Sequence, residues 1–244
     1  EGSIPFSRSN NLMKKKLNLS NVTLLAATSV DIDQTQLAMR ISLHNISFGA
    51  VKLLSSSPPK KKYQDIEYIS IPPMDFLGYS KLVIEDLYKY FETSHCLIVQ
   101  ADSFVVNSEL WTEKFLEFDY IAAPWSDTVQ VSPELVLNMK ENVVGNGGFS
   151  LRSNKLAKIT AMIDFNSLKF PVKSEDVVIC HYLYKEMVKK GVRFAPPETA
   201  AKFSIENVNH LYGQDVNSVF GFHGKHFRDY FLKQYILRSS IGEW

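Results

Sequence analysis

From Val22 onward, short apolar runs alternate with stretches whose apolar residues recur at helical spacing. Val22-Thr-Leu-Leu-Ala-Ala27 is a continuous apolar run of buried-strand length, and residues 34–46 carry Leu37, Ile41 and Leu43 as on one face of a helix. Val51-Lys-Leu-Leu-Ser55 reads as a second strand, so the opening predicts a βαβ unit. A connector with two prolines over 55–62 leads to residues 66–71, which alternate as a strand should, and Pro72-Pro73 stops them. Residues 80–91 read as an amphipathic helix with Leu82, Val83, Leu87 and Tyr90 on one face; it feeds His95-Cys-Leu-Ile-Val-Gln100, the strongest strand pattern in the chain. Strands separated by helices of ordinary length predict a mainly parallel α/β sheet covered on both faces.

The second half is more mixed. A short helix is expected over 109–116, a strand at Tyr120-Ile-Ala-Ala123, and a polar loop over 126–141. Gly145-Asn-Gly-Gly148 precedes a strand at Phe149-Ser-Leu-Arg152, and helices are expected over 154–163 and 175–190. Residues 226–237 carry aromatic and apolar side chains at helical spacing, which predicts a tail docked on the domain. The expected organisation is a flexible N-terminal extension over 1–16, in part a remnant of cloning, a single domain over 17–225 and a helical tail over 226–244.

Composition narrows the class. A 45% hydrophobic content supports a well-packed core, and 27 Lys+Arg against 26 Asp+Glu leaves no basic excess of the kind that a nucleic-acid partner requires. Lys14-Lys15-Lys16 and Lys60-Lys61-Lys62 fit solvated loops, or a phosphate-rich or lipid surface. No apolar stretch approaches the roughly 20 residues that span a bilayer. Cys96 and Cys180 both sit in apolar runs, too few for a disulfide framework, so a reduced, cytoplasmic protein is expected. Three Asn-x-Ser/Thr matches, at Asn18, Asn21 and Asn45, follow a pattern that is common by chance.

In open parallel sheets ligands bind beyond the carboxyl ends of the strands, which directs attention to the polar residues after each apolar run. Thr28-Ser-Val-Asp31 offers a hydroxyl and a carboxylate to a base or ribose, or simply a helix cap. Gln100-Ala-Asp102-Ser103 puts a carboxylate after the central strand, suited to a divalent cation or to the start of a turn. Gly145-Asn146-Gly147-Gly148 lets backbone approach a ligand, or makes a tight turn. Ser174-Glu175-Asp176 places two acids at a helix start, where they favour the helix dipole or serve as a general base. Phe220-Gly-Phe-His223-Gly sets a histidine between glycines. The chain has neither G-x-G-x-x-G nor a P-loop, and it lacks G-x-S-x-G, H-E-x-x-H and zinc-like cysteine spacing, which removes the corresponding dehydrogenase, NTPase, serine hydrolase and zinc readings.

Eight strings in order, Tyr79-Ser-Lys81, Leu97 through Asn107, Asp119 through Trp125, Val144 through Arg152, Glu175-Asp176-Val177, Arg193-Phe-Ala-Pro-Pro197, Phe203-Ser-Ile-Glu206 and Phe220 through Gly224, resemble a little-characterised family of glycosyltransferases found in bacteria and large DNA viruses. The resemblance implies a GT-A-like nucleotide-binding α/β sandwich that transfers a hexosyl or deoxyhexosyl group from a nucleoside-diphosphate sugar, UDP-linked, to a hydroxyl of a glycan acceptor, with inversion and with Mn²⁺ or Mg²⁺. The family's D-x-D motif is incomplete here, since Asp102-Ser103-Phe104 keeps only the first acid. By the same resemblance Asp102 and His223 hold the metal, and Thr28, Asp31, Lys81, Gln100, Asp102, Ser103, Asn146, Gly147 and Gly148 bind the donor. Asp176 is the base, with Glu175 as fallback, and Trp125 and Glu206 contact the acceptor. The competing reading is a non-catalytic nucleotide- or sugar-binding module of the same fold. A glycoside hydrolase would also need two carboxylates but would bind no nucleotide.

Overall fold

Strand β1 (Leu17–Thr28), helix α1 (Ile32–Ser42) and strand β2 (Ile46–Ser55) form the expected βαβ unit in a computed structural model that describes residues 16–208 and 212–240. The expected extension over 1–16 lies outside the described residues except for Lys16. Both strands are longer than their apolar runs, because Leu17 to Leu19 pair with Ile46 to Phe48 ahead of a bulge on β1. A Cβ on Gly49 would lie 2.1 Å from the Ser20 carbonyl oxygen, so glycine is what allows β2 to pass the bulge. Helix α1 ends at Ser42, short of residue 46, because β2 already begins at Ile46.

Strand β3 (Glu67–Ser70) adds to β2 in parallel. The next helix starts four residues earlier than its pattern, as α2 (Phe76–Lys81), because the Asp75 side chain caps it by accepting from the Gly78 N–H at 2.8 Å. It then widens into a π turn (Leu82–Asp86) and tightens into a 3₁₀ turn (Leu87–Lys89). Val83, Ile84 and Leu87 are all buried there, and Ile84 packs into a different cluster from the other two.

Strand β4 (His95–Val99) lies beside β1 in parallel. The helix expected over 109–116 resolves into two 3₁₀ turns (Ser108–Leu110 and Glu113–Glu117). Strand β5 (Tyr120–Ala122) follows, and the expected loop over 126–141 contains a hairpin of β6 (Thr128–Ser132) and β7 (Leu135–Asn138). Its polar Thr, Gln and Ser positions hid the alternation that Val129, Val131, Leu135 and Leu137 carry inward. Strand β8 (Phe149–Ser153) enters antiparallel between β4 and β5, giving the order β3-β2-β1-β4-β8-β5 with β8 alone reversed.

Side-chain alternation on the central strands builds two cores. Leu24, Ala26, Leu97 and Val99 face one cluster with Met39 of α1, while Leu25, Ala27, Cys96 and Ile98 face the other with Val83 and Leu87. Helix α3 (Asn154–Thr160) contributes Ala157 to the second cluster, so helices cover both faces of the sheet. Each fully buried Leu, Ile or Phe contributes about 1.5–3 kcal/mol.

The helix expected over 175–190 is broken into α4 (Glu175–Val177), a π turn (Val178–Tyr182) and α5 (Tyr184–Lys189). Helix α6 (Pro197–Phe203) and strands β9 (Ser204–Ile205) and β10 (Gly221–Phe222) also carried no readable signal. The two short strands pair in parallel. The tail is helix α7 (Lys225–Ser240), whose Phe227 and Phe231 close a third cluster with Ile41, Phe104, Ile205 and Phe222. Among the described residues no helix is long and apolar enough to cross a membrane.

Candidate active site

A cavity of about 830 Å³ opens beyond the carboxyl ends of β1 and β4, where an open α/β sheet places its ligands. Thr28 and Asp31 line it from the end of β1, Gln100 and Asp102 from the end of β4, Gly147 and Gly148 from the segment before β8, and Glu175 and Asp176 from α4. Glu206 and His223 enter from the ends of β9 and β10. Lys225 and Arg228, in the first turn of α7, complete the wall.

His223 sits between two carboxylates. Its Nδ1 is 3.1 Å from Glu206 Oε1 and its Nε2 is 3.5 Å from Asp102 Oδ1. Burial would lower the His223 pKa, but hydrogen bonds to both acids and their charges lift it to about 10. Burial would likewise raise the Asp102 carboxyl, yet the hydrogen bond and charge of His223 hold it below the usual range. A Cβ on Gly148 would stand 2.2 Å from His223 Nε2, so the ring lies against bare backbone.

Glu175 and Asp176 are adjacent in sequence but differently held. Glu175 Oε2 accepts from Arg152 Nη2 at 2.7 Å, with side-chain exposures of only 4% and 1%. Burial pushes the Glu175 carboxyl up to about 7 against the pull of Arg152. Gly147 is required beside it, because a Cβ there would fall 1.7 Å from Glu175 Oε1. Asp176 instead accepts through Oδ2 from the Gly147 N–H at 3.0 Å and through Oδ1 from the Val177 N–H at 2.8 Å. The arginine therefore engages one acid and leaves the other at the cavity with backbone partners alone.

Other residues singled out from the sequence brace the walls. Ser103 Oγ donates to the Gly148 carbonyl at 2.6 Å and accepts from the Gln100 N–H at 2.7 Å, stitching the β4 end to the glycine segment. Asn146, at φ 69°, is 1% exposed and its Oδ1 accepts from the Gly148 N–H at 3.1 Å. Thr28 Oγ1 donates to the Val30 carbonyl, and Asp31, also left-handed at φ 51°, precedes α1. Trp125 lines the cavity but is 8% exposed, and its ring fills the space where a Gly145 Cβ would be. Lys81 does not line the cavity; it pairs with Glu85 one turn along at 2.5 Å.

Arg152, Lys225 and Arg228 were not singled out from the sequence. Arg152 had a readable signal, since a charge inside the apolar run Phe149-Ser-Leu-Arg152 must find a buried partner. Lys225 and Arg228 had none, because only the docking of α7 turns them to the cavity.

The chain belongs to the family described as "Protein of unknown function (DUF5672)", whose model matches residues 67–223. No curated protein matches the sequence. Two solved structures share a loose overall likeness. One is a glycosyltransferase involved in the glycosylation of the major capsid of PBCV-1, 12% identical over 87% of this chain and 98% of that one, with a TM-score of 0.44. The other is the apo-form glycosyltransferase GlyE of Streptococcus pneumoniae TIGR4, 13% identical over 86% of this chain, with a TM-score of 0.49. This chain spans 54% of the GlyE chain.

Proposed function

We propose that this protein is a glycosyltransferase of GT-A type that moves a sugar from a nucleoside-diphosphate donor, UDP-linked, to a hydroxyl of a glycan acceptor with inversion at the anomeric carbon. The observation that carries the reading is the division of charge in one cavity: Asp176 with backbone partners beside Glu175, which pairs with Arg152, and Lys225 and Arg228 on another part of the wall. The base at the end of β1 meets Thr28 and Asp31, the diphosphate meets Lys225 and Arg228 in place of Lys81, and the donor sugar lies along Gly147 and Gly148.

In the transfer the acceptor oxygen attacks the anomeric carbon, and the bond from that carbon to the diphosphate oxygen breaks with its electron pair leaving on the diphosphate. The acceptor proton passes to the Asp176 carboxylate, which is general-base work. Positive charge from Lys225 and Arg228 stabilises the departing group, where charge develops most. The acceptor enters past Trp125 and the hairpin residues Thr128 and Gln130, which offer uncharged hydrogen-bonding groups.

A divalent cation, Mn²⁺ or Mg²⁺, fits the donor set at Asp102 and His223. Two ligands each about 2.1 Å from one ion lie at most about 4.2 Å apart, and Asp102 Oδ1 and His223 Nε2 are within that span at 3.5 Å. Among the described residues no group of three or more His, Cys, Asp or Glu could hold an ion unaided, so phosphate oxygens and water complete the shell. When bound, such an ion adds positive charge at the diphosphate.

The test is Asp176→Asn, assayed for release of nucleoside diphosphate from a panel of nucleotide sugars. The wild type should release it, and the variant should lose about 10²–10⁴-fold in rate with UDP affinity intact. Full activity in the variant would remove Asp176 as the base.

A further inference from the structure

Glu206 has no part in the transfer step above, yet the fold takes pains to place it. Strands β9 and β10 pair in parallel with Ser204 opposite Gly221 and Ile205 opposite Phe222, so the residues that leave the pair together are Glu206 and His223. The His223 N–H donates to the Ile205 carbonyl at 2.9 Å, and the Gly224 N–H donates to the Asp102 carbonyl at 3.0 Å. Ile205 and Phe222 are fully buried and anchor the pair in the third cluster. Asp102, His223 and Glu206 are thereby fixed relative to one another by backbone as well as by side chains.

The imidazole geometry follows from that placement. A carboxylate can only accept, so Glu206 Oε1, 3.1 Å from Nδ1, keeps a proton on that nitrogen. In the neutral ring the lone pair then falls on Nε2, the nitrogen that faces Asp102 Oδ1 across 3.5 Å and lies against the bare backbone of Gly148. A histidine that ligates a metal commonly donates its other N–H to a carboxylate, which sets tautomer and ring orientation.

We propose that Glu206 is a positioning residue that fixes the tautomer and orientation of His223, so that His223 Nε2 and Asp102 together seat a divalent cation at the donor diphosphate. The inference rests on the metal-assisted reading given above and withdraws Glu206 from acceptor contact.

The experiment is a calorimetric titration of Mn²⁺ into the full chain with saturating UDP and no acceptor, comparing wild type, Glu206→Ala, Glu206→Gln and Asp102→Ala. Glu206→Ala should weaken Mn²⁺ binding by about 10–100-fold. Glu206→Gln, whose amide oxygen still accepts from Nδ1–H, should keep most of the affinity, and Asp102→Ala should lose it. UDP affinity without Mn²⁺ should be the same in wild type and both Glu206 variants. A Glu206→Ala protein that binds Mn²⁺ like wild type overturns the positioning role and leaves the metal reading standing. A wild type that binds UDP but no Mn²⁺ overturns the metal reading and the inference with it. If Glu206→Ala loses its cooperative melt, Glu206→Gln carries the test alone, and a loss there as deep as in Asp102→Ala overturns the proposal.

Discussion

Arg152 is 1% exposed in the middle of a sheet, and its Nη1 has no hydrogen-bond partner among the described residues, so its charge depends on Glu175. Removing one partner of a buried ion pair leaves the other charge uncompensated, at a cost of about 3–5 kcal/mol. Arg152→Met should therefore lower stability by about that amount in urea unfolding, and the double change Arg152→Met with Glu175→Leu should recover much of it. A double variant no more stable than the single one would contradict this account. The sequence showed both residues but not their pairing, because 23 positions separate them and only the return of α4 to the glycine segment brings them together. His223 gives a second prediction at this scale. Its folded-state pKa is raised to about 10 from an ordinary 6.5, so the native chain holds a proton that the unfolded chain releases. The resulting stabilisation is complete below pH 6.5 and is lost as pH rises through about 10. In metal-free buffer the melting temperature of wild type should fall more steeply over that window than that of His223→Gln, and parallel slopes would refute the assignment.

At the level of elements, what could be read from the chain was what carries a long apolar period. Strands β1, β2, β3, β4, β5 and β8 and helices α1, α3 and α7 all follow runs or helical spacing in the sequence. The two-residue strands β9 and β10 are below any period, and the hairpin β6–β7 is half exposed, so neither was legible although the hairpin and the residues that follow β9 and β10 line the cavity. The breaks in the helices expected over 80–91 and 175–190 were hidden for another reason, since π turns preserve apolar density while changing which face is buried. Gly148→Ala tests the glycine segment as an element. The added methyl meets His223 Nε2 at 2.2 Å and must push the ring off Asp102, so Mn²⁺ binding should fall while the fold, followed by circular dichroism, persists. Unchanged Mn²⁺ binding in a folded Gly148→Ala protein would contradict the seat. Helix α7 links stability to the site: Phe231 is 9% exposed in the third cluster, and Lys225 and Arg228 lie in the same helix. Phe231→Ala should cost about 3 kcal/mol and also weaken UDP binding, measured by titration; a loss of stability with UDP affinity unchanged would detach α7 from the diphosphate.

For the whole molecule, a formal net charge of +1 leaves no overall basic excess, and the structure brings Lys225 and Arg228 to the cavity wall. Lys225, Arg228 and His223 reach the cavity from the end of the chain, while Thr28, Asp31 and Asp102 reach it from the first half. The α/β class and a cavity at the strand ends were legible because the sheet's period is written from residue 22 to residue 100. The cationic part of the wall was not, because the sequence pointed to Lys81, which pairs with Glu85 outside the cavity, while Lys225 and Arg228 reach the wall only through the docking of α7. The central claim is donor-dependent transfer through Asp176, and it is tested most directly by nucleoside diphosphate release from a panel of nucleotide sugars with Mn²⁺ present. The account predicts release by wild type from at least one UDP-sugar, slowed about 10²–10⁴-fold in Asp176→Asn while that variant still binds UDP; a folded wild type that binds no nucleoside diphosphate and releases none from any donor would contradict it.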